Sequence, residues 1–151
     1  MTQALQMLLE QAELERDTAL ARLLQADDAA RQARAQSEQL HAYREDYRRR
    51  APALNGKSAH IELVRCHQGF MQRLDQAIAQ QREQLVGLEQ QAATHRTDLL
   101  EREVRVAAVR KLIERRGQEQ QRRSTRIEQR QNDEAAMRVS LGRQRGFERT
   151  H

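Results

Sequence analysis

RRRAPALNGKSA, residues 48–59, is the one stretch in which the chain gathers strong helix breakers. Pro52, Asn55 and Gly56 fall close together, and Arg48, Arg49 and Arg50 before them suit a helix C-terminus, where cations meet the negative end of the dipole. Ser58 is placed to cap a second helix, with Glu62 in its first turn. The reading is helix, short loop, helix. Helix 1 is expected at about 2–50, the loop at about 51–57, helix 2 at about 58–141 and a frayed tail at 142–151 around Gly142 and Gly146, all within a single coiled-coil domain covering 1–151.

Outward from that turn both arms carry apolar heptads. In the first, Leu5, Ala12, Ala19, Ala26, Ala33, Leu40 and Tyr47 recur at sevens, with Leu9, Leu23 and Ala30 on the companion position; Arg16 and Arg44 weaken the seam. The second runs through Leu63, Phe70 and Ala77, then Leu85, Ala92, Leu99, Val106 and Ile113. Its step of eight from Ala77 to Leu85 reads as a stutter, which locally unwinds a supercoil. Folding back near residue 55 pairs residues whose numbers add to about 110. Tyr47 is then expected by Leu63, Leu40 by Phe70, Ala33 by Ala77, Ala19 by Ala92, Ala12 by Leu99 and Leu5 by Val106. The expected fold is all-α, an antiparallel two-helix coiled-coil hairpin with a longer C-terminal helix. Its alanine layers bury little area, so marginal stability is expected.

At about 1.5 Å per residue the first arm spans about 75 Å and the second about 120 Å. Beyond Val106 the second helix is expected to lack a partner over about 45 Å. That overhang holds KLIERRGQEQQRRSTRIEQRQNDEAAMR, residues 111–138. It keeps a thin apolar stripe of Leu112, Ile113, Ile127 and Met137, and Gly117 weakens it by about 1 kcal/mol relative to Ala. Such a helix is marginal in water unless something docks on it.

Composition agrees with a coil. Two Phe, two Tyr, no Trp and a mean hydropathy of -0.97 leave too little bulky apolar matter for a globular core. Disorder is disfavoured because the apolar residues are periodic. Cys66 alone excludes an internal disulfide and suits a reducing compartment, so a cytosolic location is expected. The N-terminus lacks a basic n-region and an apolar h-region, and no run of about 18 apolar residues exists, so neither a signal peptide nor membrane insertion is expected. A net charge of +5 makes an acidic partner plausible.

The GKS tripeptide at Gly56 is no P-loop, since Ala51 occupies the place of the first glycine. His60, Cys66, His67 and His95 form no tight ligand set, and no cofactor is expected. A two-helix coil offers no pocket in which to desolvate catalytic groups, so an enzyme is not expected. Between Arg110 and Arg130 eight cations face Glu114, Glu119 and Glu128. A solvated face, nucleic acid, a membrane surface and protein docking are all open readings. A basic zipper places its basic region before the coil rather than after it, and the apolar face lacks the density that insertion uses, so nucleic acid and membrane rank below a protein partner. Tyr43, Tyr47 and Phe70 gather at the loop end, either as a plug of the tip or as an exposed patch.

Several blocks together resemble the FliJ family of flagellar type III export proteins. In the overhang these are Lys111-Leu112, Glu114-Arg115-Arg116, Glu128-Gln129, Asp133-Glu134 and Ala136. LDQAIAQQ, residues 74–81, and YREDY, residues 43–47, complete the likeness, which covers nearly the whole chain. The resemblance implies an antiparallel coil, similar in shape to the central stalk of rotary ATP synthases, that inserts into the ring of the export ATPase (FliI) and promotes its assembly and hydrolysis without catalysis of its own. It also implies contact with the membrane export gate (FlhA), escort of export chaperones, and a place at the cytoplasmic face of the inner membrane in motile bacteria. The homologous rod of a virulence secretion system is the near alternative, and a basic coil that binds nucleic acid a more distant one. By resemblance the gate set is Gln36, Leu40, Tyr43, Tyr47, Phe70, Leu74, Ala77 and Gln81, with Gln81 standing where the family has histidine. The ATPase set inferred here is Arg110, Arg116, Arg123, Arg126, Glu128, Gln129, Arg130 and Asp133. Leu40, Tyr47, Phe70 and Ala77 are thereby claimed by both seam and gate. Either the seam rotates near the loop or these side chains lie at its edge.

Overall fold

The computed structural model describes residues 2–50 and 61–149, the side chain of Arg149 excepted. The predicted loop, the Ser58 cap, the GKS tripeptide and His60 lie outside the described residues. Among those described, regular structure is helical throughout: α1, Thr2–Arg49, and α2, Ile61–Arg149. α1 contains no glycine or proline and is built mainly from Ala, Leu, Gln, Glu and Arg, the strong helix formers. Arg48 and Arg49 occupy its last turn, and the Arg50 N–H closes it on the Tyr47 carbonyl at 3.2 Å. α2 starts with Glu62 in its first turn.

The helix does not stop at 141. It passes Gly142 and Gly146, neither of which takes a positive φ, and reaches Arg149. A lone glycine costs about 1 kcal/mol, which lowers helicity without ending a helix when no proline or left-handed cap follows.

The chain forms two compact units, Glu13–Val104 and Met1–Ala12 with Arg105–His151. In the first, the helices run antiparallel. Arg34 donates to Glu89 at 2.8 Å, Arg44 to Asp75 at 2.5 Å, Arg96 to Asp27 at 3.4 Å and Arg102 to Glu15 at 2.7 Å. The α1 seam is the one read from the heptads: Ala19, Leu23, Ala30 and Ala33 are buried, and Ala26, Leu40, Tyr47, Arg16 and Arg44 half-buried.

On α2 two expectations are corrected. The seam runs His67, Met71, Leu74, Ile78, Gln81, Leu85, Leu88, Ala92, His95, Leu99, Arg102, alternating steps of four and three with no stutter. Leu63 is exposed, and Phe70 and Ala77 lie beside the seam, half-buried. The apparent stutter came from following Ala77 where its neighbour Ile78, 8% exposed, takes the seam.

The register is the second correction. Paired residue numbers add to 117 for Glu15 and Arg102, 119 for Arg44 and Asp75, and 123 for Asp27 and Arg96 and for Arg34 and Glu89. Tyr47 meets His67 and Phe70 rather than Leu63, the Ala33 carbonyl accepts from Gln81 rather than Ala33 facing Ala77, and Ala19 clusters with Leu99 rather than Ala92. The displacement is about one heptad, and two period-seven seams match equally well when slid by seven. Charge breaks that tie. Seven residues one way, Arg34 would oppose Arg82 and Asp27 would oppose Glu89; seven the other way, Arg34 would oppose Arg96, Arg44 Arg82 and Asp27 Glu103.

In the second unit Ala12, Val106 and Val109 are buried, and Leu5, Leu9, Ile113 and Arg116 half-buried. Thr2 shares a surface hollow with Arg116, Glu119, Gln120 and Arg123. The register shift thus carries pairing past Val106, where the sequence reading ended it.

Candidate functional site

Two surfaces, one in each unit, hold the expected site residues. In Glu13–Val104 the aromatic side chains form a cluster. The Tyr47 ring stacks on His67 at 4.8 Å between centroids and 10° between planes, and meets Phe70 at 4.5 Å. Tyr43 packs against Tyr47 at 6.4 Å and edge-on to Phe70 at 6.2 Å. The cluster is both plug and patch: Tyr47 and Phe70 are half-buried while Tyr43 remains 53% exposed. A single aromatic left half outside a stacked group is the arrangement expected of a contact anchor.

Beside it lies an open hollow lined by Gln36, Gln39, Leu40, Tyr43 and Gln81, with no charged residue. Gln81 organises it. Its Nε2 donates to the Ala33 carbonyl and to Gln36 Oε1, each at 3.2 Å, which fixes both amides across the two helices. Of the gate set, Gln36 and Tyr43 are exposed, Leu40, Tyr47, Phe70, Ala77 and Gln81 half-buried, and Leu74, 8% exposed, supports the surface from the seam. Phe70 and Ala77 sit at the seam's edge, which removes the double claim on them. Sequence reasoning missed Gln39 and His67. Gln39 carries no signal beyond its helical neighbourhood with Gln36 and Tyr43. His67 occupies a seam position, and its Nδ1 is buried without a hydrogen-bond partner among the described residues.

The other surface is the basic stretch of α2. From Arg105 to Arg149 thirteen Arg and Lys stand against six Asp and Glu, whereas from Ile61 to Val104 five stand against seven. The excess of positive charge therefore resides in this unit. Arg110 is exposed beside the seam, Arg116 is half-buried in it, and Arg123 borders the hollow with Thr2. Arg126, Glu128, Gln129, Arg130 and Asp133 come next, on a part of the helix where every described side chain from Gly117 to Glu148 is exposed. From Ser124 to Arg149 this part measures about 39 Å. It presents Ile127, Met137, Val139, Leu141 and Phe147, all more than half exposed. No described helix is long and apolar enough to cross a membrane.

The sequence model of the flagellar FliJ protein family matches residues 1–145. No curated protein and no solved structure matches the chain.

Proposed function

The chain belongs to the FliJ family of flagellar protein-export components, and from that premise we propose that it is the accessory coil of the export ATPase. In this reading the chain enters the ATPase ring, promotes its assembly and hydrolysis without catalysing a reaction itself, and links the ring to the export gate. The carrying observation is the stretch of α2 from Ser124 to Arg149, helical and exposed along its described length, which follows directly on the basic run from Arg105 to Arg123. A long helix that keeps its described apolar side chains exposed is marginal in water, so a partner docked on Ile127, Met137 and Leu141 would add stabilisation.

Arg110, Arg116, Arg123, Arg126 and Arg130 would face acidic or polar groups of the ring, with Glu128, Gln129 and Asp133 setting register. The gate contact falls to the uncharged hollow and Tyr43, and escort of export chaperones to the same assembly. The protein then works at the cytoplasmic face of the inner membrane, held there by its partners. The test is a strain lacking this chain. Hook and filament export should fail and be restored by the intact gene; normal swimming and export without it would remove the proposal.

A further inference from the structure

Beyond the hollow at Thr2, α2 keeps the phase of the seam. From the buried Val106 and Val109, one line of sevens runs Ile113, Gln120, Ile127, Glu134, Leu141 and the other Arg116, Arg123, Arg130, Met137. Ile113 and Arg116 are half-buried, and from Gln120 onward all are exposed, with Ile127 at 56%, Met137 at 68% and Leu141 at 52%. These three aliphatic side chains fall on the same two lines as the buried valines. The stripe is continuous with an interface the molecule already uses.

The seam also shows what an interposed arginine takes. Arg102, seven residues before Val109 and so at the same heptad position, is half-buried and donates to Glu15 of the facing helix at 2.7 Å. Arg44, in the α1 seam, takes Asp75 of α2. Arg123 and Arg130 repeat the Arg102 position, with Arg122 and Arg126 nearby. The helix that covers the seam in this chain is itself acidic, with nine Asp and Glu against seven Arg from Thr2 to Arg49.

We propose that the stripe from Gln120 to Leu141 docks one amphipathic helix of another protein, aliphatic at its seam positions and carrying carboxylates, about one heptad apart, against Arg123 and Arg130. A second copy of this chain fits less well, because its own stripe would bring the same two arginines and a single carboxylate, Glu134. An anionic membrane also fits less well, because arginines interrupt the aliphatic line. The proposal shares its location with the ATPase reading, but its experiment contains no ATPase, so either can fail alone.

The probe is a labelled synthetic helix of about three heptads with Leu at the seam positions and Glu flanking them, alongside a twin with Lys in place of Glu. Each is titrated with the full chain by fluorescence anisotropy. The Glu helix should bind saturably and the Lys helix should not. Arg123→Glu/Arg130→Glu should weaken the Glu helix by about tenfold or more and admit the Lys helix, and Ile127→Asp should weaken the Glu helix as well. Circular dichroism checks that the variants stay helical. Equal binding of the two probes, no binding of either, or indifference to the double substitution overturns the proposal. A dimer of the chain, or flotation with phosphatidylserine vesicles, that is lost in the same double variant would assign the stripe to a second copy or to a membrane, and overturns it too.

Discussion

A Cβ added at Gly117 would meet nothing within 4 Å, and the residue is helical and exposed. Gly117→Ala should therefore stabilise α2 by up to about 1 kcal/mol, since nothing offsets the gain in helix propensity. Thermal unfolding followed at 222 nm checks this, and a lower midpoint would show that the position needs its glycine. At the end of α1, Arg48 donates to Glu45 and holds its carboxyl below the ordinary value of 4.5 through that hydrogen bond and then through its charge. The folded pKa lies below the unfolded one. The pair's stabilisation is thus present above the unfolded value and is lost as pH falls through the folded value. An NMR titration should place the Glu45 midpoint below 4.5 and return it towards 4.5 in Arg48→Ala. Tyr43 is the residue on which the gate reading turns. Tyr43→Ala removes its exposed ring and should weaken gate binding while leaving the Tyr47, His67 and Phe70 contacts and the helicity in place.

Among the elements, the seam of α1 was legible because its heptads are strict. Its pairing with α2 was not, because sliding by one heptad leaves two such seams matched. Local pattern also failed at Ala77 and Ile78, adjacent apolar residues of which only packing selects one. What fixes the register is the set of flanking charges. Glu89 holds the Arg34 guanidinium above its ordinary pKa through a hydrogen bond and its charge, and Asp75 does the same for Arg44. Arg34→Glu should loosen the register, and Arg34→Glu/Glu89→Arg should restore it. Spin labels at Gln25 and Thr94 provide the measurement, since a slip of one heptad moves one helix about 10 Å along the other. An unchanged distance in the single variant would show that the aliphatic layers suffice. Those layers are thin: Leu99→Ala, which empties the cluster with Ala19 and Leu23, should cost about 2 kcal/mol in chemical denaturation.

Across the whole molecule, charge and exposure divide the surface. The unit Glu13–Val104 presents an uncharged hollow ringed by glutamines beside a half-exposed tyrosine, and the unit containing Arg105–His151 carries the basic excess. The residue types of both surfaces could be read from the sequence, and so could the family. The accessibility of Phe70 and Ala77 could not, because it depends on seam phase, nor could the start of the exposed stretch, because it depends on register. The claim that this stretch acts on the export ATPase is tested most directly by hydrolysis assays with the cognate enzyme. The titrants are the intact chain, Arg126→Glu/Arg130→Glu, and a chain ending at Arg123. The intact chain should stimulate hydrolysis while the charge-reversed and shortened chains, still helical, do not. Equal stimulation by all three, or none by the intact chain, would contradict the account.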